Sequence, residues 1–257
     1  SQIDEIKGGA TVVITSFAGS TNYVLKAGDK IGQLYGYKIL RSVGQVNATT
    51  GQPYIDPAQQ ANYEVASNGY VVNKTSKAPF FTPEQSSFGD PFPKFNVSFI
   101  NDFTFKSYLS AGVQLDWVYG NHLYNQTKEW MYRDGIHSDY TKPITINGEE
   151  GAWSAFYRGI YAQRAANGTK DYFYEDASFL RVRNIYLGFD FARAFKIESV
   201  NKLQLVLTGR NLLTWTKYTG MDPEISSGTT NSAWDRGTDH NTLPNFKTYQ
   251  VSLNIGF

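Results

Sequence analysis

The 257-residue chain contains no cysteine, which excludes disulfide staples, thiolate nucleophiles and thiolate metal sites. It also lacks any apolar run near the roughly 18 residues that a spanning helix needs. That absence leaves a membrane open, because a barrel strand crosses with only about 9–11 alternating residues. Charge of one sign is missing too: 24 basic and 23 acidic residues leave a net charge of +1. No global field therefore draws nucleic acid or acidic partners. No G-x-S-x-G, H-E-x-x-H, P-loop or G-x-G-x-x-G pattern occurs. Hydrolase, zincin and nucleotide chemistry are left without an anchor, and no catalytic residue, metal or cofactor is expected. The histidines His122, His137 and His240 fall in expected loops without the short spacings of a metal site, and are expected at solvent. The opening Ser1-Gln2-Ile3-Asp4-Glu5 is polar and acidic, unlike a signal peptide. An export signal is accordingly expected upstream, and the start reads as mid-chain.

Aromatics are abundant at 16%, with 18 Tyr and 17 Phe, yet the mean hydropathy is −0.41. Many aromatics in a chain that is polar on average suit alternating strands with interfacial girdles. The last stretch shows the pattern best. Tyr249, Val251, Leu253, Ile255 and Phe257 alternate with Gln250, Ser252, Asn254 and Gly256, one apolar and one polar face of a strand. Ending on an aromatic residue, it reads as the closing strand of a transmembrane barrel.

Upstream, Phe95, Val97, Phe99, Phe103 and Phe105 alternate with Asn96, Ser98, Asp102 and Thr104. A turn near Lys106-Ser107 leads to a second run, Leu109 to Tyr119, and the two predict a hairpin. A further strand is expected over 179–191, where Leu180 and Val182 are out of phase with Ile185, Leu187 and Phe189, the signature of a bulge. Leu203, Leu205 and Leu207 mark its partner. Residues 10–17 and 34–46 are β-prone, 47–93 read as a long loop, and 127–132 as a short helix. Connections alternate in length: short near 106 and 192–200, long at 47–93, 121–177 and 214–245. Barrels of the outer membrane sort turns and loops this way, and a soluble sandwich has no reason to. The expected fold class is all-β, an antiparallel transmembrane β-barrel segment with long extracellular loops.

Loop aromatics Trp130, Tyr132, Trp153, Phe156, Tyr157 and Trp234 are the candidates for ligand contact, stacking on sugar rings; packing among loops or against a partner is the alternative. Trp117, Tyr119, Trp215 and Tyr218 fall at strand ends and are assigned to an outer aromatic girdle. Asp222 and Glu224, and the adjacent Glu149-Glu150, are expected to order turns or face solvent rather than act as an acid–base pair or calcium site. Asn47, Asn73, Asn96, Asn125 and Asn167 fit the glycosylation tripeptide, which a bacterial protein would not normally use.

Several segments carry a narrower signature. Gly32-Gln-Leu-Tyr-Gly-Tyr37, Phe88-Gly-Asp-Pro-Phe-Pro-Lys94 and Tyr119-Gly-Asn-His-Leu-Tyr-Asn125 resemble the SusC/RagA family of TonB-linked outer-membrane receptors. So do Ala177 to Asn184, the stretch Asn211 to Glu224 and the last strand. The resemblance implies the C-terminal strands of a 22-stranded barrel, importing oligosaccharides or peptides beneath a SusD-like lipoprotein lid. It further implies a TonB complex engaged through a missing N-terminal part, with the remainder of the same barrel and outer-membrane lipid as neighbours. Residues 10–93 become an outer-rim region, 94–120 and 178–213 hairpins, 121–177 and 214–245 extracellular loops, and 246–257 the closing strand. The first membrane strand would lie mostly upstream of Ser1. A soluble, secreted β-rich glycan-binding module is the alternative, and a complete small barrel a weaker one.

Overall fold

In the computed structural model, which describes residues 2–15, 21–163, 168–225 and 236–257, the long alternating runs become one antiparallel sheet. Its strands are β1 (Phe95–Phe105), β2 (Leu109–Tyr119), β3 (Phe179–Asp190), β4 (Lys202–Arg210) and β5 (Thr248–Gly256). They lie in the order β5-β4-β3-β2-β1, and the short strand Thr214–Thr216 also pairs with β3. Lys106 and Ser107 turn the first hairpin with positive φ at both positions, the twist that suits a tight connection between antiparallel strands.

Register sorts the side chains into rows. Phe103, Ala111, Leu187, Leu207 and Val251 pair successively across all five strands and share a face. One residue along, Asp102, Gly112, Tyr186, Thr208 and Gln250 form the row on the other face. Gly112 is required there. The Tyr186 ring lies where a Cβ would sit, 2.2 Å from it, and reaches past to donate to Asp102 Oδ1 at 2.8 Å.

The expected bulge falls where the phase slips, between Val182 and Asn184. Leu180 and Val182 pair with Trp117 and Leu115, while Ile185 pairs with Val113 beyond the extra residue. The insertion thus keeps all three apolar side chains on one face and leaves Arg181 and Arg183 together on the other.

The apolar face has no cover among the described residues. Tyr249, Val251, Leu253, Ile255 and Phe257 are 52–90% exposed, and Phe103, Leu187 and Leu207 about half. Water against so much apolar surface costs about 25 cal/mol per Å2, so hydrocarbon is the solvent this face fits. From Leu109 to Trp117 the strand advances eight residues. At about 3.3 Å each that is roughly 26 Å, or roughly 20 Å of height at a tilt of about 40°, close to the ~25 Å apolar band of a barrel. Arginine at Ile185, midway along this band, is expected to cost about 2–4 kcal/mol, whereas Thr208→Arg on the opposite face should change little. Urea titration of the folded full-length protein in liposomes measures both.

The sheet belongs to a compact unit of residues 92–121, 176–225 and 243–257; residues 1–91, 122–175 and 226–242 form a second. In the second unit the expected strand over 34–46 ends early, at Gly36. A Cβ on Gly36 would stand 2.0 Å from the Thr169 carbonyl oxygen. The chain there leaves the sheet, and Tyr37 N–H donates to Thr169 and its carbonyl accepts from Asp171. The stretch 47–93, expected as loop, contains a 3-10 helix, Pro57–Asn62, and the hairpin Tyr63–Val65 with Val71–Asn73. Side chains build its turns: Asn47 accepts from the backbone of Thr49 and Thr50, and Asn73 from Thr75 and Ser76. Two helices follow, α1 (Gln126–Asp134), capped by Asn125, and α2 (Ser154–Ala162). Phe156, Tyr157 and Ile160 of α2, with Tyr132 of α1, Tyr23, Leu34, Tyr124 and Phe173, make its core.

Candidate functional site

Of the six aromatics proposed for ligand contact, three are buried. Tyr132 and Phe156 are fully enclosed and Tyr157 is 3% exposed. The Tyr132 ring packs edge-on against Tyr157 and Phe173, and its hydroxyl donates to Asp139 at 2.6 Å. They hold the unit together and in this conformation present no open ring face; composition alone does not separate such rings from exposed ones. Trp130 and Trp153 are half-buried. Trp130 meets His240 edge-on at 4.5 Å and carries Arg133 over its ring, while Trp153 donates to the Ile144 carbonyl and lies under Lys77. Trp234 lies outside the described residues.

The three histidines are also half-buried rather than at solvent. His122 stacks on Tyr174 at 4.9 Å, His137 lies 3.3 Å from Asp139, and His240 packs on Trp130. Aromatic neighbours draw each ring inward. Among the described residues no group of three or more His, Asp or Glu is arranged to hold a metal.

On the sheet's apolar face, Trp117 and Tyr119 join Phe95 in an aromatic band, with ring centroids 4.8 and 5.3 Å from it. Trp215 shares that face through its pairing with Leu180 and is half exposed. Tyr218 does not join them: it is 5% exposed and folds against Gly220, which has no Cβ to exclude the ring. A second aromatic group, missed in the sequence, sits by the short turns. Tyr108, Phe189, Phe191 and Phe195 contact one another at 4.9–6.3 Å. Phe191–Phe195 form a short helix, α3, capped by Asp190. The run Phe189-Asp-Phe191 followed by Phe195 was the available signal, since barrels carry a girdle at each interface.

The polar face carries a charge cluster at the bulge. Arg181, nearly buried, donates to Asp222 and Glu224, both at 2.6 Å. Arg183 bonds Asp116 at 2.6 Å and Glu224 at 2.7 Å, and Asn211 at 3.1 Å. Asn245 closes the set from the other side, its backbone N–H on Asp222 and its side chain on Glu224, each at 2.9 Å. Asp222 is buried and Glu224 partly exposed, and both carboxylates are taken up by the arginines rather than standing ready for acid–base work. They clamp the segment after Thr216 and the approach to β5 onto the strand that carries both arginines. Glu149 pairs with Lys77 at 3.2 Å.

A second ion pair is sealed in the other unit. Lys170 and Glu129 are fully buried and 3.2 Å apart. Glu129 also accepts from Tyr124 at 3.0 Å and Gln126 at 2.6 Å, and Lys170 donates to the Gly168 carbonyl. Burial pushes the carboxyl up and the ammonium down, each opposed by its partner. Nearby, burial raises Asp171 to about 6 against the pull of the Ile39 N–H and Arg41. The folded state then holds this proton more tightly than the unfolded chain. Stability of the unit is expected to fall by about 2–3 kcal/mol as pH rises from about 4 through 6. Asp171→Asn keeps the acceptor and should flatten that slope, read by hydrogen exchange at the Ile39 amide.

These features occur in a chain with distant relatives. It is 26% identical to TonB-dependent receptor P3 of Formosa agariphila over 91% of its own length and 23% of the receptor's. To TonB-dependent receptor SusC of Bacteroides thetaiotaomicron it is 24% identical, over 95% of this chain and 23% of SusC. The RagAB peptide importer in its closed-closed state shares the fold with a TM-score of 0.55 at 17% identity, covering 97% of this chain and 25% of that one. The chain thus spans about a quarter of the length of the curated relatives it matches. No protein-family model matches it.

Proposed function

We propose that the chain is part of a SusC/RagA-type TonB-dependent receptor of the bacterial outer membrane, as its likeness to such receptors supports, and that the whole protein imports oligosaccharides or peptides. This chain supplies barrel wall and external loops. The unit of residues 1–91, 122–175 and 226–242 forms the outer rim, where Trp130, Trp153 and Trp234 are the aromatics assigned to solute or lid contact. Trp117, Tyr119 and Trp215 form the outer girdle. The partners are a SusD-like lipoprotein lid and a TonB complex reached through another part of the receptor.

The observation that carries the proposal is the two-faced sheet. One face is apolar and, among the described residues, uncovered, and the other bears a clamp of two arginines and three carboxylates. Its outer strands β1 and β5 each leave one edge unpaired among the described residues. In hydrocarbon an open edge strands backbone donors and acceptors, so the rest of the barrel must complete the ladder. A soluble glycan-binding module has no use for so much bare apolar surface.

Uptake by cells carrying the full-length gene tests this. Labelled oligosaccharides or peptides should enter only when TonB is present, and the lid lipoprotein should co-purify in detergent. Uptake that survives loss of TonB, or a full-length protein found in the soluble fraction, overturns it.

A further inference from the structure

A polar pocket of about 460 Å3 lies within the unit of residues 1–91, 122–175 and 226–242, its described lining residues falling between Thr11 and Ser87. Its wall is built in advance of any ligand. Glu84 Oε1 accepts from Asn47 Nδ2 at 2.8 Å and from the Tyr54 hydroxyl at 2.7 Å. Asn47 Oδ1 is meanwhile fixed by two backbone N–H groups. Thr82 bridges the Lys38 N–H and the Glu84 carbonyl, and Gln45 accepts from the Arg41 N–H. Burial, with Glu84 beside it, pushes the Tyr54 phenol up to about 12, so it stays a donor. Such mutual bonding fixes rotamers before binding and lowers the entropy that a ligand must offset.

Charge distinguishes this pocket. Lys26 and Lys38 both line it; among the described residues neither lies within ion-pair distance of a carboxylate, and Asp171, outside the lining, acts on Lys38 from farther off. Lys38 passes over the Phe88 ring at 5.9 Å. Among the described residues Glu84 is the sole carboxylate of the lining, with one oxygen already engaged twice. The balance is one positive charge in excess, with hydroxyls and amides on the remaining wall and the Tyr35 and Tyr54 rings beside them.

We propose that this pocket is a binding subsite for an acidic sugar unit, one that carries a carboxylate on a polyhydroxylated ring. The two ammonium groups take the carboxylate by charge-assisted hydrogen bonds. The free oxygen of Glu84 and the amides of Asn47 and Gln45 bond ring hydroxyls, and a tyrosine ring covers the sugar's apolar face. A peptide fits less well. Its side chains need apolar recesses, and Val46 and Ala48 are the sole aliphatic side chains among the described residues of the lining. The assignment rests on the outer-rim placement proposed above.

The test uses full-length receptor in detergent, titrated with trigalacturonate, with maltotriose as the neutral control and a triaspartate peptide as the acidic non-sugar. Trigalacturonate should bind most tightly, and more weakly as salt rises. Lys26→Met with Lys38→Met should weaken it by about tenfold or more and flatten the salt dependence, leaving maltotriose unchanged. Reversal to Lys26→Glu with Lys38→Glu should abolish binding while the melting profile is kept. Undiminished binding in the double methionine variant, no binding of trigalacturonate, or tighter binding of triaspartate overturns the assignment. TonB-dependent uptake of the same compounds separates the two proposals. Uptake without pocket dependence removes the subsite alone, and binding without TonB-dependent uptake removes the import reading.

Discussion

Replacing Lys170 with methionine is expected to destabilise the unit that contains it by about 3–5 kcal/mol. The residue is fully buried, and so is its partner Glu129, 3.2 Å away. Removing one member leaves a charge in a medium that cannot solvate it, and that penalty rather than the lost attraction sets the size of the effect. Glu129→Gln alone should cost a similar amount, because it removes the carboxylate that balances the buried ammonium at 3.2 Å; the Gly168 carbonyl and the face of Tyr161 at 5.4 Å are neutral neighbours that remain. The double variant, Lys170→Met with Glu129→Gln, should recover most of the loss. Glutamine keeps an acceptor for Tyr124 and Gln126, whose bonds to Glu129 measure 3.0 and 2.6 Å, and no charge remains. Acid should also relieve the single Lys170→Met variant. Burial already pushes the Glu129 carboxyl up, and without the lysine it takes a proton more readily. Hydrogen-exchange protection of the Tyr124 and Glu129 amides in the full-length receptor measures all three. A double variant as unstable as the sum of the singles would show that the two side chains act independently, and would overturn the reading that each single loss is the penalty of a buried charge left without its partner.

How much of this was legible in the sequence follows from what each residue's surroundings demand. Strands with one face in hydrocarbon alternate, so β2, β4 and β5, and β1 despite the exchanged pair Ile100 and Asn101 at its middle, could be read from period two. Even the bulge was visible, since Leu180 and Val182 stand out of phase with Ile185 and Leu187. Residues 1–91 and 122–175 obey no such constraint. Their order comes from Asn47, Asn73 and Asn125 bonding nearby backbone, and from aromatic side chains meeting across long separations, neither of which leaves a period. Tyr132, Phe156 and Tyr157 were legible as aromatic but not as buried, because a tyrosine serves equally in a core or at a rim. Lys170 carried no signal at all: lysine reads as surface unless its partner is known. Arg181 and Arg183 lay between these cases. Two arginines two apart on a strand mark one face, and the strand register puts Asp116 across from Arg181, but Asp222, Glu224 and Asn245 come from the fold.

Arg181→Met is the second change with a large expected effect, about 3–5 kcal/mol, and Arg183→Met should cost only about 1 kcal/mol. Both arginines bind two carboxylates, so counting bonds would rank them together. Solvent separates them. The Arg181 side chain is 3% exposed and Asp222 4%, whereas Arg183 is 25% exposed and Glu224 35%. Without Arg181, Asp222 keeps its backbone donors from Glu224 and Asn245 but loses the cation that balances it, in a place water does not reach. Without Arg183, water and Arg181 still serve Glu224, and the loss approaches that of a surface pair. Lysine at 181 should rescue little, because its single ammonium cannot span Asp222 and Glu224 as the forked guanidinium does. Asp222→Asn combined with Arg181→Met should recover part of the loss. Exchange protection over residues 217–225 is the readout, since the clamp holds that segment against β3. If Arg183→Met loosens the segment as much as Arg181→Met, burial is not what gives the clamp its strength, and the cluster works instead as a shared network in which either guanidinium is indispensable.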